Sequence, residues 1–270
     1  MRPLLACALL TGLFLVPPAA RADDAALRRA VADPARTPKF VARDAVRHPV
    51  EELEFFGITP RSTVVEIWPG GGYWTEILAP YLHDRGVYYV AMGAGDGTHV
   101  ESAFSRFPQA EQERFDADPA RFGRIRRTVL SQGHDDIAPA GSVDMVLTFR
   151  NLHNWMKQGD AEEMIAAVHK ALKPGGIFCV EDHRARPDAP QDPRALSGYV
   201  RQDYAIALIE KAGFALVSHS EIDANPKDTT HWAKGVWTLP PTLALGEQDR
   251  ARYQAIGEAD NFVLRFRKVP

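Results

Sequence analysis

The segment from Val64 to Leu78 constrains this chain more than any other. It reads Val-Val-Glu-Ile-Trp-Pro-Gly-Gly-Gly-Tyr-Trp-Thr-Glu-Ile-Leu. Val64, Val65 and Ile67 form a short apolar run of the kind buried in a parallel sheet, with Glu66 near its carboxyl end. Pro69 and three consecutive glycines, Gly70, Gly71 and Gly72, follow as a loop bare of side chains. Trp74, Ile77, Leu78 and Tyr81 then keep the i, i+3, i+4, i+7 spacing of one helix face. Strand, bare loop and helix together bring backbone N–H groups and a helix N-terminus close to the negative group of a small ligand.

The alternation continues along the chain. Val87 to Ala91, Ile125 to Leu130, Val143 to Phe149, Ile177 to Val180 and Phe214 to Ser218 read as further strands. Phe262, Leu264 and Phe266 alternate with polar or exposed positions and suggest a final half-exposed strand. Between them lie helices. Val50, Leu53 and Phe56 mark one, with Pro49 in its first turn and Gly57 at its end. Thr98 to Asp118 reads as a polar surface helix. Ala161, Ile165, Val168 and Leu172 share the face of another, capped by Asp160 and ended by Lys173-Pro174-Gly175-Gly176; Val200, Tyr204, Ala207 and Leu208 mark the last. This pattern describes a doubly wound α/β sheet, which binds ligands at the carboxyl ends of its strands. Three clusters fall there: Glu66 to Gly72, Arg150 to Trp155, and Glu181 to His183.

The amino terminus has a different character. Arg2, an apolar run from Leu4 to Val16, Pro17-Pro18 and Ala20-Arg21-Ala22 read as a secretory signal peptide cut after Ala22. The run is shorter than the ~20 residues a membrane span needs. The expected organisation is a signal peptide over 1–22, a helical lead-in over 23–57 and one domain over 58–270, periplasmic or secreted, with no membrane insertion after cleavage. Lys and Arg number 32 against 35 Asp and Glu, a net charge of −3, which gives no reason to expect nucleic acid as a partner. Cys7 leaves with the signal peptide, so Cys179 has no partner for an internal disulfide and the core must supply stability.

Four features together resemble the class I S-adenosylmethionine-dependent methyltransferases, and within them an exported, signal-peptide-bearing subgroup. Glu66 to Gly72 is similar to the family's acidic-x-Gly-x-Gly-x-Gly loop, and Val143-Asp144-Met145-Val146-Leu147 to its fourth strand. Leu172 to Gly176 is a frequent companion of the fifth strand. The tail from Ile256-Gly257-Glu258-Ala259-Asp260 to Leu264-Arg265-Phe266 resembles the exported subgroup. The resemblance implies a Rossmann-like sheet with six parallel strands, an antiparallel seventh and helices on both faces. It also implies S-adenosylmethionine lying across Gly70, Gly71 and Gly72, with Glu66 orienting the loop or accepting from the cofactor's amino group. Two positions depart from the pattern. Trp68 stands where the family has its first glycine, and Ala91-Met92-Gly93 stands where a ribose-binding acid is usual, leaving Asp96 as a substitute. His134 or Asp135 would face the adenine edge, or else form a solvated turn. Asn151 is either a cofactor contact or a turn residue.

Methyl transfer to oxygen or nitrogen needs in-line positioning and often a base. His153, just after the fourth strand, is the first candidate base; the alternative is a histidine that fixes the local turn through backbone bonds. Asp182 and His183 are the second candidate, and can share a pocket only if the strand has ended, because neighbours on a strand face opposite ways. No ligand spacing supports a metal site. Arg47 and His48 either reach over the ligand or lie at the surface. The sequence thus points to an exported methyltransferase acting on a small molecule, or to a non-catalytic small-molecule-binding protein that retains the fold. Oligomeric state is not written in it.

Overall fold

A computed structural model describes residues 18–95 and 105–269. The apolar run of the expected signal peptide and Asp96 lie outside the described residues. Among the described residues eight strands run in the order β1 (Thr63–Ile67), β2 (Val87–Met92), β3 (Arg126–Val129), β4 (Val143–Phe149), β5 (Leu172–His183), β6 (Phe214–Ser220), β7 (Ala233–Val236) and β8 (Asn261–Lys268). All but β7 form one sheet in the order β3-β2-β1-β4-β5-β8-β6. Neighbours from β3 to β5 pair in parallel, and β8 runs antiparallel between β5 and β6. Six strands are therefore parallel and one is antiparallel. The strand order reverses between β1 and β4, and in such sheets the ligand crevice opens at that switch point.

The pleat divides β1 between two cores. Val65 and Ile67 face α8 (Leu152–Gln158) and α9 (Ala161–Ala171), whereas Val64 shares its face with α4 (Pro49–Phe56) and α5 (Thr75–Leu82). All three valine and isoleucine side chains are fully buried, which explains why this strand reads as unbroken apolar sequence.

The amino-terminal helices α1 (Pro18–Val31), α2 (Pro38–Val41) and α3 (Asp44–Arg47) lead into α4. They are not a loose preface: Leu27, Phe40, Leu53 and Phe56 join the same core as α5. The Thr37 amide donates to buried Glu76 of α5 at 2.9 Å, and Arg36 pairs with Asp44 at 2.7 Å. This places Phe40 directly over Gly71, where an added Cβ would meet its ring at 3.4 Å.

Three expectations change. The helix ends at Ala171, ahead of the Lys173 to Gly176 segment, but the strand that follows begins at Leu172 and takes in this segment instead of starting at Ile177. Lys268 explains this, since its ammonium donates to the carbonyls of His169 and Leu172 and fixes the hand-over from α9 to β5. Val200 is not helical but bridges to Arg184, and α10 (Gln202–Lys211) starts two residues later. Within 98–118, the described part holds α6 (Gln109–Ala117), followed by α7 (Pro119–Phe122). Phe115, on the buried face of α6, and Phe107 before it pack against the glycine loop.

Candidate active site

The loop after β1 is built from residues that tolerate left-handed backbone. Gly70 and Gly72 have φ of 57° and 88°. At Gly72 a Cβ would sit 2.6 Å from the Phe115 ring, so conformation and space both demand glycine. Trp68 shares the left-handed region at φ 49°, uncommon for a bulky residue. Its backbone N–H donates to the Ala91 carbonyl at 2.8 Å and its indole N–H donates to the Leu130 carbonyl at 2.9 Å. The ring meets Trp155 edge-on, with centroids 6.1 Å apart, and is almost wholly buried. The indole thus occupies the space beside the carboxyl ends of β2 and β3. Asn151 braces the same loop by donating to the Ile67 carbonyl at 3.0 Å.

Glu66 is buried and turned toward the α5 side, where its carboxylate accepts from Thr75 at 2.8 Å and from the Tyr88 hydroxyl. Burial pushes its pKa up to about 7, against the opposing effect of those two hydrogen bonds.

At the ends of β4 and β5 stands a histidine pair. Asp182 accepts three N–H bonds: the His153 amide at 2.8 Å, His153 Nδ1 at 2.7 Å and the His183 amide at 2.7 Å. Burial works against its charge, but His153 and His183 outweigh it and hold the Asp182 carboxyl below the ordinary carboxylate range. An ionised carboxylate only accepts, so in the His153 contact Nδ1 carries a proton and donates it to Asp182. Asn261 settles the second ring in the same way. Its amide nitrogen donates to Glu181 at 2.9 Å, which leaves its oxygen to accept from His183 Nδ1 at 2.7 Å. Burial first, and then the neighbouring His153, push His183 down to about 3, so it is neutral at physiological pH. The two rings lie 5.1 Å apart.

The third group is cationic. Arg43 grips Glu258 with two bonds of 2.6 Å, while Arg47 and Arg150 approach Glu258 Oε2 at 3.4 and 3.3 Å. Burial raises the pKa of Glu258, but the three guanidiniums overcome it and bring the carboxyl down to about 2. Burial and the charge of Arg150 lower Arg47 to about 9, still cationic at neutral pH. Behind Arg150, Glu52, Glu181 and Asp223 have carboxyl oxygens within 4.8 Å of one another. Burial raises all three, Glu181 to about 7.

A cavity of about 290 Å³ joins these parts, at the small end of ligand clefts. Glu66, Trp68, Gly70, Gly71, Asn151, His153 and His183 all reach its wall. Asp182 does not; it stands behind His153, although a side-chain N or O of each of His153, Asp182 and His183 lies within 4.8 Å of the others. Gly72 is covered by Phe115. His134 and Asp135 do not line this wall: they lie in an exposed turn, with Asp135 paired to Lys170 at 3.0 Å. Sequence reasoning treated Arg47 as a possible surface residue, but it is buried in the wall; His48 is half exposed and paired with Asp223 at 2.9 Å. Arg43, Trp237 and Glu258 were missed as site residues, because they are 215 residues apart in the case of Arg43 and Glu258 and no local pattern announces them. Arg150 had a signal, since it directly follows a buried strand, and it pays for that position with a φ of 61°.

No protein-family model matches the chain. It is 31% identical over 133 residues to a protein named an uncharacterized methyltransferase from Synechocystis sp., a match covering 49% of this chain and 52% of that protein. The chain thus spans about half the length of this relative. Among solved structures, a SAM-dependent methyltransferase from Aquifex aeolicus superposes with a TM-score of 0.55 at 13% identity, covering 92% of this chain and 99% of that one. The cyclase SpnF superposes with a TM-score of 0.56 at 12% identity, covering 93% and 94%. The chain therefore has the Rossmann-like fold of the class I methyltransferases. The fold alone does not fix the reaction, because one of these neighbours is a cyclase.

Proposed function

We propose that the chain is an S-adenosylmethionine-dependent methyltransferase acting on a small molecule in the strand-end cavity, exported after cleavage behind Ala22. The observation that carries this reading is the meeting, in one cavity, of the Gly70-Gly71 loop and an Asp182-held His153. The fold and the half-length methyltransferase relative support it.

The cofactor fits in part. Gly70 and Gly71 leave room and backbone for its methionine end, and Glu66 stands beneath them. The buried Trp68 indole, held on the Leu130 carbonyl, stands where the adenosine end would have to lie. Bound there, the cofactor would supply an electrophilic methyl group. His153 would take the acceptor's proton at Nε2, with Asp182 stabilising the imidazolium through Nδ1. Neutral His183 adds an acceptor beside it without adding charge.

Trp68 favours a second reading, a non-catalytic binding protein that kept the fold. Calorimetric titration of the mature protein with S-adenosylmethionine and S-adenosylhomocysteine separates the two. Binding of either supports the methyltransferase; silence at millimolar concentration refutes it. Mass measurement of the chain recovered from a periplasmic fraction tests the cut after Ala22.

A further inference from the structure

The cavity wall is unevenly charged. Three guanidiniums line it, those of Arg43, Arg47 and Arg150. Among the described residues two acids line it, Glu66, which is turned to Thr75 and Tyr88, and Glu258, which faces all three guanidiniums; Arg150 also pairs at 3.5 Å with Glu181 behind it. Arg43 alone uses Glu258 fully, with two short bonds of 2.6 Å. Arg47 and Arg150 stand off at 3.3 to 3.4 Å, longer than the ~2.7–2.9 Å of a committed charge-assisted bond. Their other acidic neighbours, Glu52, Glu181 and Asp223, lie behind Arg150 and do not reach the cavity. Two buried cations therefore face the cavity with donor capacity to spare.

The remaining wall is aromatic. Trp74 and Phe149 stack with centroids 4.1 Å apart, Arg47 lies 4.6 Å over the Tyr73 ring, and Trp237 meets His153 at 6.0 Å. These rings pack on one another, and the surfaces of Trp74, Phe149 and Trp237 that line the cavity offer an apolar wall to a flat apolar body.

We infer that the cavity binds a small aromatic acid, its carboxylate held by Arg47 and Arg150 beside Glu258 and its ring lying along Trp74, Phe149 and Trp237 toward His153. Such a carboxylate completes the coordination that Glu258 leaves unfilled, and the arginine fork matches its planar geometry. This deepens the proposed function, since it names the class of acceptor, and rests on that reading only for the acid's being methylated. The binding itself does not need it.

The test is calorimetric titration of the full mature chain with 4-hydroxybenzoate and with the neutral 4-hydroxybenzamide, in the absence of cofactor. The acid is expected to bind about tenfold or more tightly than the amide, and Arg47→Gln to weaken the acid by more than the amide, so that most of the preference is lost. Arg43→Gln, at a partly exposed guanidinium, serves where the buried variant fails to fold, and is expected to weaken the acid by freeing Glu258 to capture Arg47 and Arg150. Equal affinity for acid and amide, or binding of neither at millimolar concentration, overturns the inference. A further arm titrates S-adenosylhomocysteine: if Arg47→Gln weakens it and not the benzoate, the arginines hold the cofactor's methionine carboxylate and the inference falls. Acid selectivity without any S-adenosylhomocysteine binding upholds the inference and refutes the methyltransferase.

Discussion

Replacement of Asp182 by asparagine probes the part of the site that everything else leans on. The carboxylate accepts from His153 N, His153 Nδ1 and His183 N at 2.7 to 2.8 Å, and its side chain is wholly buried. Asp182 Oδ1 takes His153 Nδ1 and the His183 amide and Oδ2 takes the His153 amide, so asparagine, with one acceptor oxygen, loses one or two of the three bonds according to which way its NH2 turns. Hydrogen bonds to a buried charge contribute about 1.5–3 kcal/mol each, which sets the expected loss at roughly 3–5 kcal/mol. For a chain of this size that is a fall in melting temperature of about 10 °C. The pH dependence adds a signature. The Asp182 pKa is depressed in the fold, so its contribution is full above the unfolded value of 3.8 and disappears as pH falls through the lower folded value. The gap between wild type and Asp182→Asn should thus be constant from neutrality down to about pH 4 and close below it. Nitrogen NMR of the His153 ring should also show the proton leaving Nδ1 in the variant. A melting temperature within about 2 °C of wild type, with an unchanged His153 tautomer, would refute the reasoning.

Trp68→Ala should cost about 3–5 kcal/mol by opening a buried cavity, yet tighten S-adenosylhomocysteine several-fold if the indole is what bars adenosine; unchanged or weaker binding in calorimetry would show that it is not. Glu66→Gln should flatten part of the stability profile. Because burial raises Glu66 to about 7 in the fold, the native state holds a proton that the unfolded chain releases, so stability is full below 4.5 and falls as pH rises toward 7. Melting curves across that window should show the variant gaining on wild type as pH rises, and a parallel pair of curves would place the Glu66 pKa elsewhere.

Much of the architecture follows from local pattern. The unbroken apolar runs at Val64–Ile67 and Val143–Phe149 can be satisfied only by strands covered on both faces, and the glycines between Pro69 and Tyr73 only by a turn that side chains would block. Such features depend on neighbours in sequence, and so they were legible there. The approach of His153 to Asp182 was partly legible: each follows a predicted strand, but which of two adjacent residues faces the cavity depended on where β5 stops.

The rest is set by contacts between distant segments. Nothing near Trp68 in sequence says that its indole will reach Leu130, 62 residues away, and fill the ends of β2 and β3. Nothing near Arg43 names Glu258. The sequence by itself determined a doubly wound sheet with a bare glycine loop at the carboxyl end of β1, because hydrophobic periodicity and backbone freedom are local properties. Only the tertiary structure decided that the loop opens onto a cationic, aromatic cavity and not onto a broad adenosine cleft, because charge balance and free volume arise where separate segments meet.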